Sequence, residues 1–558
     1  MGKRVLIVGG VAGGASCAAR LRRLDESAEI LLFDRGPHVS FANCGLPYFV
    51  GNVITEERNL LVASRQLFRQ RFNIAVYTRH EVTAIDRARR TIRVRDLDAP
   101  GSPERDEAYD ALLLAPGAAP IRPPLPGIDR PGIFAVRTIP DTRRIRSWIE
   151  ERRPRRALVV GGGFIGLEMA ENLVHRGLQV TILEKLPQVM PPLDAEMAAT
   201  VQAHLRQAGV ALHLGDGLAG FAADGDRLVA LTEGGARLGA DLVILSIGVR
   251  AETVLAVAAG LPLGERGGIA VDPQMRTADP HIWAVGDAVE VRDVISGQEV
   301  IVPLAGPANR QGRIAAESIS GRERAFRGVQ ATAVVGVFGL TVATTGAGEK
   351  GLRRSGVTDG AVVYLHPGHH AGYYPGAKPI HLKLIFGVPD GRILGAQAVG
   401  LEGVEKRIDV IATMIQLGGT VRDLAEAELC YAPQFGGAKD PVNLAGMIAV
   451  NHLDGLMPLA DWHALGAASQ LVDVREPEEF AAGHIPGARN LPLSQLRERF
   501  PELAVEQPVT LYCGVGQRAY YATRFLAQHG YRAANLSGGY TTYQALVASG
   551  VIGAGAVA

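Results

Sequence analysis

Two stretches decide the fold: Val5-Leu6-Ile7-Val8-Gly9-Gly10-Val11-Ala12-Gly13-Gly14 and Ala157-Leu158-Val159-Val160-Gly161-Gly162-Gly163-Phe164-Ile165-Gly166. Each starts as an apolar run of strand length and ends in a cluster of glycines. Helical sequence follows, to Leu24 in the first case and to about His175 in the second. A second apolar run then closes each unit, Ile30–Phe33 ending at Asp34 and Val180–Leu183 ending at Glu184. Strand, glycine turn, helix and strand in this order make a βαβ unit. Its glycines let the chain turn tightly and bring backbone N–H groups up to a pyrophosphate at the helix N-terminus. A carboxylate about 20 residues beyond the glycines can accept hydrogen bonds from a ribose hydroxyl. The first stretch departs from the usual pattern, with Val11 in the middle glycine position. Two such units predict two bound dinucleotides. Glu184 would repel a 2′-phosphate, which points to NADH over NADPH for the second.

Working outward, 558 residues with 47% apolar content and 68 glycines predict a Gly-rich α/β protein of several domains. A net charge of +1 gives no field suited to nucleic acid. Cys17, Cys44, Cys430 and Cys513 are the only cysteines, and none forms a Cys-x-x-Cys pair. That spacing excludes a zinc ribbon or thioredoxin motif, and no metal is expected. The start, Gly2-Lys3-Arg4 followed by Val5–Val8, superficially resembles a signal peptide, but the apolar run is too short and reads as a buried strand. No apolar run reaches the ~18 residues of a membrane span. The expected location is the cytoplasm.

Thr277-Ala-Asp-Pro-His-Ile-Trp-Ala-Val-Gly286-Asp287-Ala288 resembles the second flavin-binding motif of the two-dinucleotide-binding flavoproteins. Leu112-Leu-Leu-Ala115-Pro-Gly117 resembles that family's crossing between domains, with Pro116 in place of the usual Thr, and Ile247-Gly248-Val249-Arg250 resembles the return crossing. The resemblance implies an FAD domain split over 1–120 and 249–325, an NAD domain at 121–248 and an α+β dimerisation domain at 326–450. It assigns FAD contacts to Gly9, Gly10, Ala12, Gly13, Gly14, Asp34, Arg35, Asn43, Ala115, Gly117, Gly248, Gly286, Asp287, Pro303, Leu304 and Ala305. NADH contacts fall to Gly161, Gly163, Phe164, Ile165, Gly166 and Glu184.

Cys44 lies in Ser40-Phe41-Ala42-Asn43-Cys44-Gly45-Leu46-Pro47-Tyr48, close enough to the first nucleotide strand to face a flavin. A helix starting after Gly45 is expected to lower the thiol pKa. Phe49 stands where dithiol reductases carry a second Cys, so Cys44 must cycle through a mixed disulfide, persulfide or sulfenic acid. The motif resembles the coenzyme A-disulfide reductases, as does Tyr431-Ala-Pro-Gln-Phe-Gly-Gly-Ala-Lys439-Asp440-Pro441-Val442-Asn443. The resemblance implies that Tyr431, with Tyr373 or Tyr374, reaches the partner subunit's Cys44 in a homodimer with shared active sites. It implies that Ser16, Arg20, Arg23, Ser40, Asn43, Arg71 and Lys439 line a coenzyme A site. Interface packing is the alternative for the tyrosines, and a solvated helix face for Arg20 and Arg23. Cys17 reads as packing and Cys430 as structural.

Beyond a connector at 451–463, the span 464–558 holds Leu471-Val-Asp473-Val-Arg475-Glu476-Pro477-Glu478-Glu479-Phe480, Gly483-His-Ile-Pro-Gly-Ala488, Leu511-Tyr512-Cys513-Gly-Val-Gly516-Gln-Arg518 and Leu536-Ser-Gly-Gly539. A buried strand ends at Cys513, small residues wrap a loop, and a helix is expected after Arg518. Inward backbone N–H groups with Arg518 can stabilise a thiolate or persulfide. The four stretches resemble the rhodanese family. Phosphatases of related form place the Arg one residue further on; the tighter loop here suits sulfur.

The whole resembles fused reductase–rhodanese proteins that reduce persulfides. The expected substrate is a coenzyme A disulfide, a thiol persulfide or a polysulfide. Two alternatives stand beside this. One is a flavin NADH oxidase working through a Cys-sulfenic acid. The other is a sulfur relay or sensor whose flavin body does not turn over.

Overall fold

In the computed structural model, Arg4–Val8 is the middle strand of a five-stranded parallel sheet. Glu29–Asp34 and Ala111–Leu114 flank it, with Ala75–Thr78 and Ile282–Ala284 at the edges. Val5, Leu6, Ile7, Leu32, Leu112 and Leu113 are fully buried, as expected of strands covered on both faces. The helices Ala12–Leu24 and Ala305–Ile319 pack backbone to backbone: a Cβ on Gly312 would lie 2.3 Å from the Gly13 carbonyl oxygen. A second parallel sheet runs Ala211–Leu214, Gln179–Glu184, Arg156–Val160, Leu242–Leu245, Ile133–Ala135. The chain passes between the two sheets at an antiparallel pair, Ala118–Pro120 with Val249–Ala251.

The structure describes residues 2–225, 227–465 and 469–553. They form two compact units, Met1–Pro187 with Gly209–Ala331, and Gln188–Ala208 with Thr332–Ala558. Of the expected C-terminal span, 466–468 and 554–558 lie outside the described residues. No helix of the described residues is long and apolar enough to cross a membrane.

The second unit holds an antiparallel sheet in the order Ala333–Val337, Leu340–Gly346, Ile393–Gly400, Ile380–Gly387, Gly360–Leu365. The helix Ala195–Gln207, which chain order places among the strands of the second nucleotide sheet, belongs to this unit. Lys383 is fully buried there. Its ammonium is 2.8 Å from Asp194 and also contacts Glu196 and Glu349. Burial alone would lower the Lys383 pKa and raise that of Asp194. The opposite charges prevail, holding Lys383 well above and Asp194 below its ordinary value.

The C-terminal domain is a parallel sheet, Arg489–Asn490, Gln470–Asp473, Val509–Tyr512, Ala533–Asn535. It is bolted to the antiparallel sheet rather than hung from it. The Tyr364 amide donates to Ser537 Oγ at 2.7 Å, and His366 Nε2 pairs with Thr542 Oγ1 at 2.9 Å. Tyr364, Trp462, Leu471, Tyr512, Leu536 and Tyr543 share one apolar cluster. The connector is therefore ordered: a helix runs from Pro441 through Leu453, and Trp462 is buried.

Candidate active sites

Gly9 has φ +97°, and a Cβ on Gly14 would lie 1.9 Å from the Gly9 carbonyl oxygen, so the first turn tolerates no side chain at either position. Asp34 accepts from the Gly10 and Gly36 amides at 2.8 and 2.7 Å. Glu184 accepts from the Gly162 and Leu186 amides at 2.7 and 2.8 Å. Each acid thus braces its own glycine turn, a role the motif reading did not assign. Burial raises the Asp34 pKa. Gly163 is different. Its φ is −83°, and an added Cβ would meet nothing within 4 Å. Neither backbone nor packing calls for glycine there, and the space at the N-terminus of helix Phe164–His175 is open. Gly117, Gly286, Asp287, Leu304 and Ala305 lie in the first unit with Gly9–Gly14. Leu304 caps the helix Ala305–Ile319, and the Gly286 amide donates to Gln311 at 2.7 Å. These residues fit a dinucleotide at each turn. Arg35 is held by Glu252 at 2.9 Å, which also takes Arg137.

Asn43–Gly45 forms a 3₁₀ turn that runs into the short helix Leu46–Val50. The Ser40 amide donates to the Gly10 carbonyl at 2.7 Å, tying the thiol loop to the first glycine turn; Ser40 itself has φ +49°. Cys44 is exposed. Its thiol pKa is nevertheless raised by the chain packed around it, then by the carboxylates of Glu168 and Asp287. This corrects the expected lowering: a five-residue helix is outweighed by desolvation and two negative charges. The Tyr48 hydroxyl donates to Glu168 at 3.2 Å. Burial raises the Glu168 pKa and takes Tyr48 to about 12. Neither residue was singled out in the sequence, although Tyr48 follows Cys44 by one helical turn and Glu168 stands just beyond Gly166.

Ser16 hydrogen-bonds Asn309, and Arg20 is ion-paired with Glu317. The Arg20 charge is thus already matched, while Arg23 and Arg71 are exposed. Arg22, not singled out earlier, is buried and donates to the Phe72 and Asn73 carbonyls. Cys17 is fully buried, and its pKa rises accordingly.

In the second unit the hydroxyls of Tyr373 and Tyr431 meet at 2.5 Å. Tyr373, Tyr374, Tyr431 and Phe435 are all exposed, as are Cys430 and Lys439. Buried Arg407 holds the two loops together, donating to the His369 carbonyl at 2.7 Å and pairing with Asp440 at 2.8 Å.

Cys513 follows directly on the strand Val509–Tyr512, one residue past the expected strand end, and is 1% exposed. The Gly516 amide points at its sulfur at 3.1 Å, from a residue with φ +94°. The Tyr540 amide donates to the Cys513 carbonyl at 2.7 Å and the Thr541 amide to that of Gly514 at 3.0 Å. The helix Gln517–Gln528 begins before Arg518, not after it, so Arg518 stands in its first turn. Arg518 makes a two-point pair with Glu479, at 2.6 and 2.7 Å. Arg475 pairs with buried Asp473 at 2.7 Å and donates to the Gly483 carbonyl.

Two nucleotide turns with a lone thiol beside the first, and a second thiol in a loop-and-helix cradle, define a two-nucleotide redox enzyme carrying a sulfur-handling domain. Family models agree: pyridine nucleotide-disulphide oxidoreductase matches residues 3–312, its dimerisation domain 332–440, and a rhodanese-like domain 459–546. The chain belongs to the pyridine nucleotide-disulphide oxidoreductase family. It is 34% identical over 445 residues to the coenzyme A disulfide reductase of Staphylococcus haemolyticus, covering 80% of this chain and 98% of that protein. The reduced Bacillus anthracis CoADR-RHD structure superposes with TM-score 0.95 at 46% identity, over 98% of both chains. A NAD-dependent persulfide reductase from A. fulgidus gives 0.89 at 36%, over 97% of this chain and 100% of that one.

Proposed function

We propose that the protein is an NADH-dependent reductase of coenzyme A disulfide, thiol persulfide or polysulfide, acting as a cytoplasmic homodimer, with Cys513 passing sulfane sulfur. The observation that carries this reading is Cys44: exposed, on a loop tied to the first glycine turn, and with no local second thiol. Its natural partner is a substrate sulfur. The Cys44 thiolate attacks one sulfur of the substrate, the S–S bond breaks, and a thiolate leaves while a mixed disulfide or persulfide forms on Cys44. FAD and NADH, when bound, supply the electron pair that returns Cys44 to the thiolate. Asp34 and Glu184 shape the turns that receive the two dinucleotides, and the Glu184 carboxylate favours a free ribose hydroxyl. The paired Tyr373 and Tyr431 phenols, with Tyr374 beside them, offer a proton to the leaving thiolate from the partner subunit. Exposed Arg23, Arg71 and Lys439 suit the phosphates of coenzyme A, with Ser16, Arg20, Ser40 and Asn43 near the thiol side.

The test is NADH consumption under argon with and without coenzyme A polysulfide. Rapid turnover only with the polysulfide is expected; turnover that requires oxygen would overturn the reading in favour of an oxidase. Cys44→Ser should abolish reduction, by about 10³-fold or more, whereas Cys513→Ser should leave it within about threefold. The reverse pattern would favour a sulfur relay.

A further inference from the structure

We propose that Glu479 selects the sulfur donor of the Cys513 cradle, matching the charge of Arg518 so that the cradle takes sulfane sulfur from an organic persulfide or polysulfide and rejects the thiosulfate dianion. The proposal rests on the sulfurtransferase reading of this domain and refines it.

The geometry is that of a fixed pair. Glu479 sits in the helix Pro477–Ala482, and one of its oxygens also accepts from the Glu476 amide at 3.1 Å. Glu479 engages both Nη1 and Nη2 of Arg518, whose guanidinium also lies beside Cys513. The bond to Arg518 holds the Glu479 pKa at about 2, so the pair persists across any assay pH. The other arginine of the motif stretches, Arg475, is likewise matched by Asp473 and turned onto the Gly483 carbonyl. Positive polarity at the thiol comes from the Gly516 amide and from an Arg518 whose charge Glu479 already matches. The exposed residues on the cradle loop and its helix include Val515 and Tyr521, an apolar edge suited to a carbon-bearing donor.

With a persulfide R–S–S⁻, the Cys513 thiolate attacks the outer sulfur, the S–S bond breaks, R–S⁻ leaves, and Cys513 holds S–S⁻. With thiosulfate the same transfer releases sulfite and gathers three negative charges at a cradle whose arginine is already neutralised. Like-charge approach of that kind is what an unmatched Arg would relieve.

The experiment uses the full chain, thiosulfate and glutathione persulfide as donors, cyanide as acceptor, and thiocyanate as readout. The parent protein is expected to favour the persulfide in kcat/KM by at least about a hundredfold. Glu479→Gln keeps an acceptor for the Glu476 amide but loses the charge, and should raise the thiosulfate-to-persulfide ratio at least about tenfold, through KM for thiosulfate. Glu479→Asp, too short for the two-point pair, should move the ratio the same way and serves if the Gln variant is unstable. Mass-resolved alkylation of the Cys513 peptide against pH should shift to lower pH in Glu479→Gln, as the freed Arg518 favours the thiolate. An unchanged ratio with active transfer, or a parent protein equally good with thiosulfate, overturns the donor assignment alone. No transfer from either donor overturns the sulfurtransferase reading and the proposal with it.

Discussion

Cys44 is surrounded by groups that oppose its ionisation. Desolvation comes first, then the carboxylates of Glu168 and Asp287. Replacing Glu168 with Gln removes one of those charges, so the thiol pKa should fall. The pH profile of iodoacetamide labelling at the Cys44 peptide checks this, and an upward shift would mean that Glu168 supports the thiolate instead. Cys44 and Cys513 were legible in the sequence because each sits in a local motif whose neighbours constrain it. The Tyr48–Glu168 contact was not, since its partners lie 120 residues apart and belong to different motifs. Glu479 was visible in its motif, but its bond to Arg518 spans 39 residues and only the folded loop brings the two together.

Among elements, the two glycine turns look alike in sequence and differ in what they demand. A Cβ on Gly14 would overlap the Gly9 carbonyl, whereas one on Gly163 meets open space. Gly14→Ala should therefore cost stability and flavin content together, with Tm lowered by several degrees. Gly163→Ala should leave Tm within about 1 °C and raise KM for NADH about tenfold or more. Equal effects of the two on Tm would refute this distinction. The strand–turn–helix pattern was readable because buried parallel strands are apolar throughout. The bracing of each turn by its own acid was not, since a motif describes what meets the ligand and not what holds the apo turn.

At the seam between the antiparallel sheet and the C-terminal domain, His366 contacts both Thr542 and, at 2.8 Å, His381. Burial, then His381, depresses the His366 pKa to about 3. Burial lowers that of His381 as well. A base whose folded pKa is depressed binds its proton more readily unfolded. Stability from this seam is thus complete above about pH 6.5 and declines as pH falls from there towards about 3, by up to ~1.4 kcal/mol per pH unit for one group. Thermal unfolding followed from about pH 8 down to about pH 4 should show that slope, and His366→Asn should flatten it.

For the whole molecule, Lys383 is the residue whose loss should be felt furthest. Three acids drawn from the segments 188–208 and 349–355 converge on its ammonium, and Tyr364 above it carries the bonds to Ser537. Lys383→Met leaves buried carboxylates unpaired, which costs about 3–5 kcal/mol in comparable cases. Calorimetry should show the second unit melting earlier while the flavin-bearing unit holds its transition; a single unchanged transition would contradict this. The domain order was plain from four separate motif sets along the chain. The hub was invisible, because nothing in a lone Lys among apolar residues says which distant acids will enclose it.

All four cysteines are free, and the two in cradles have no second thiol in their own motif. Any sulfur either one acquires therefore enlarges the chain instead of closing a loop within it. The intact mass of the protein taken straight from its cell is then a ledger of its last encounter: an added sulfur atom or an added thiol, each with its own increment, names the molecule it met.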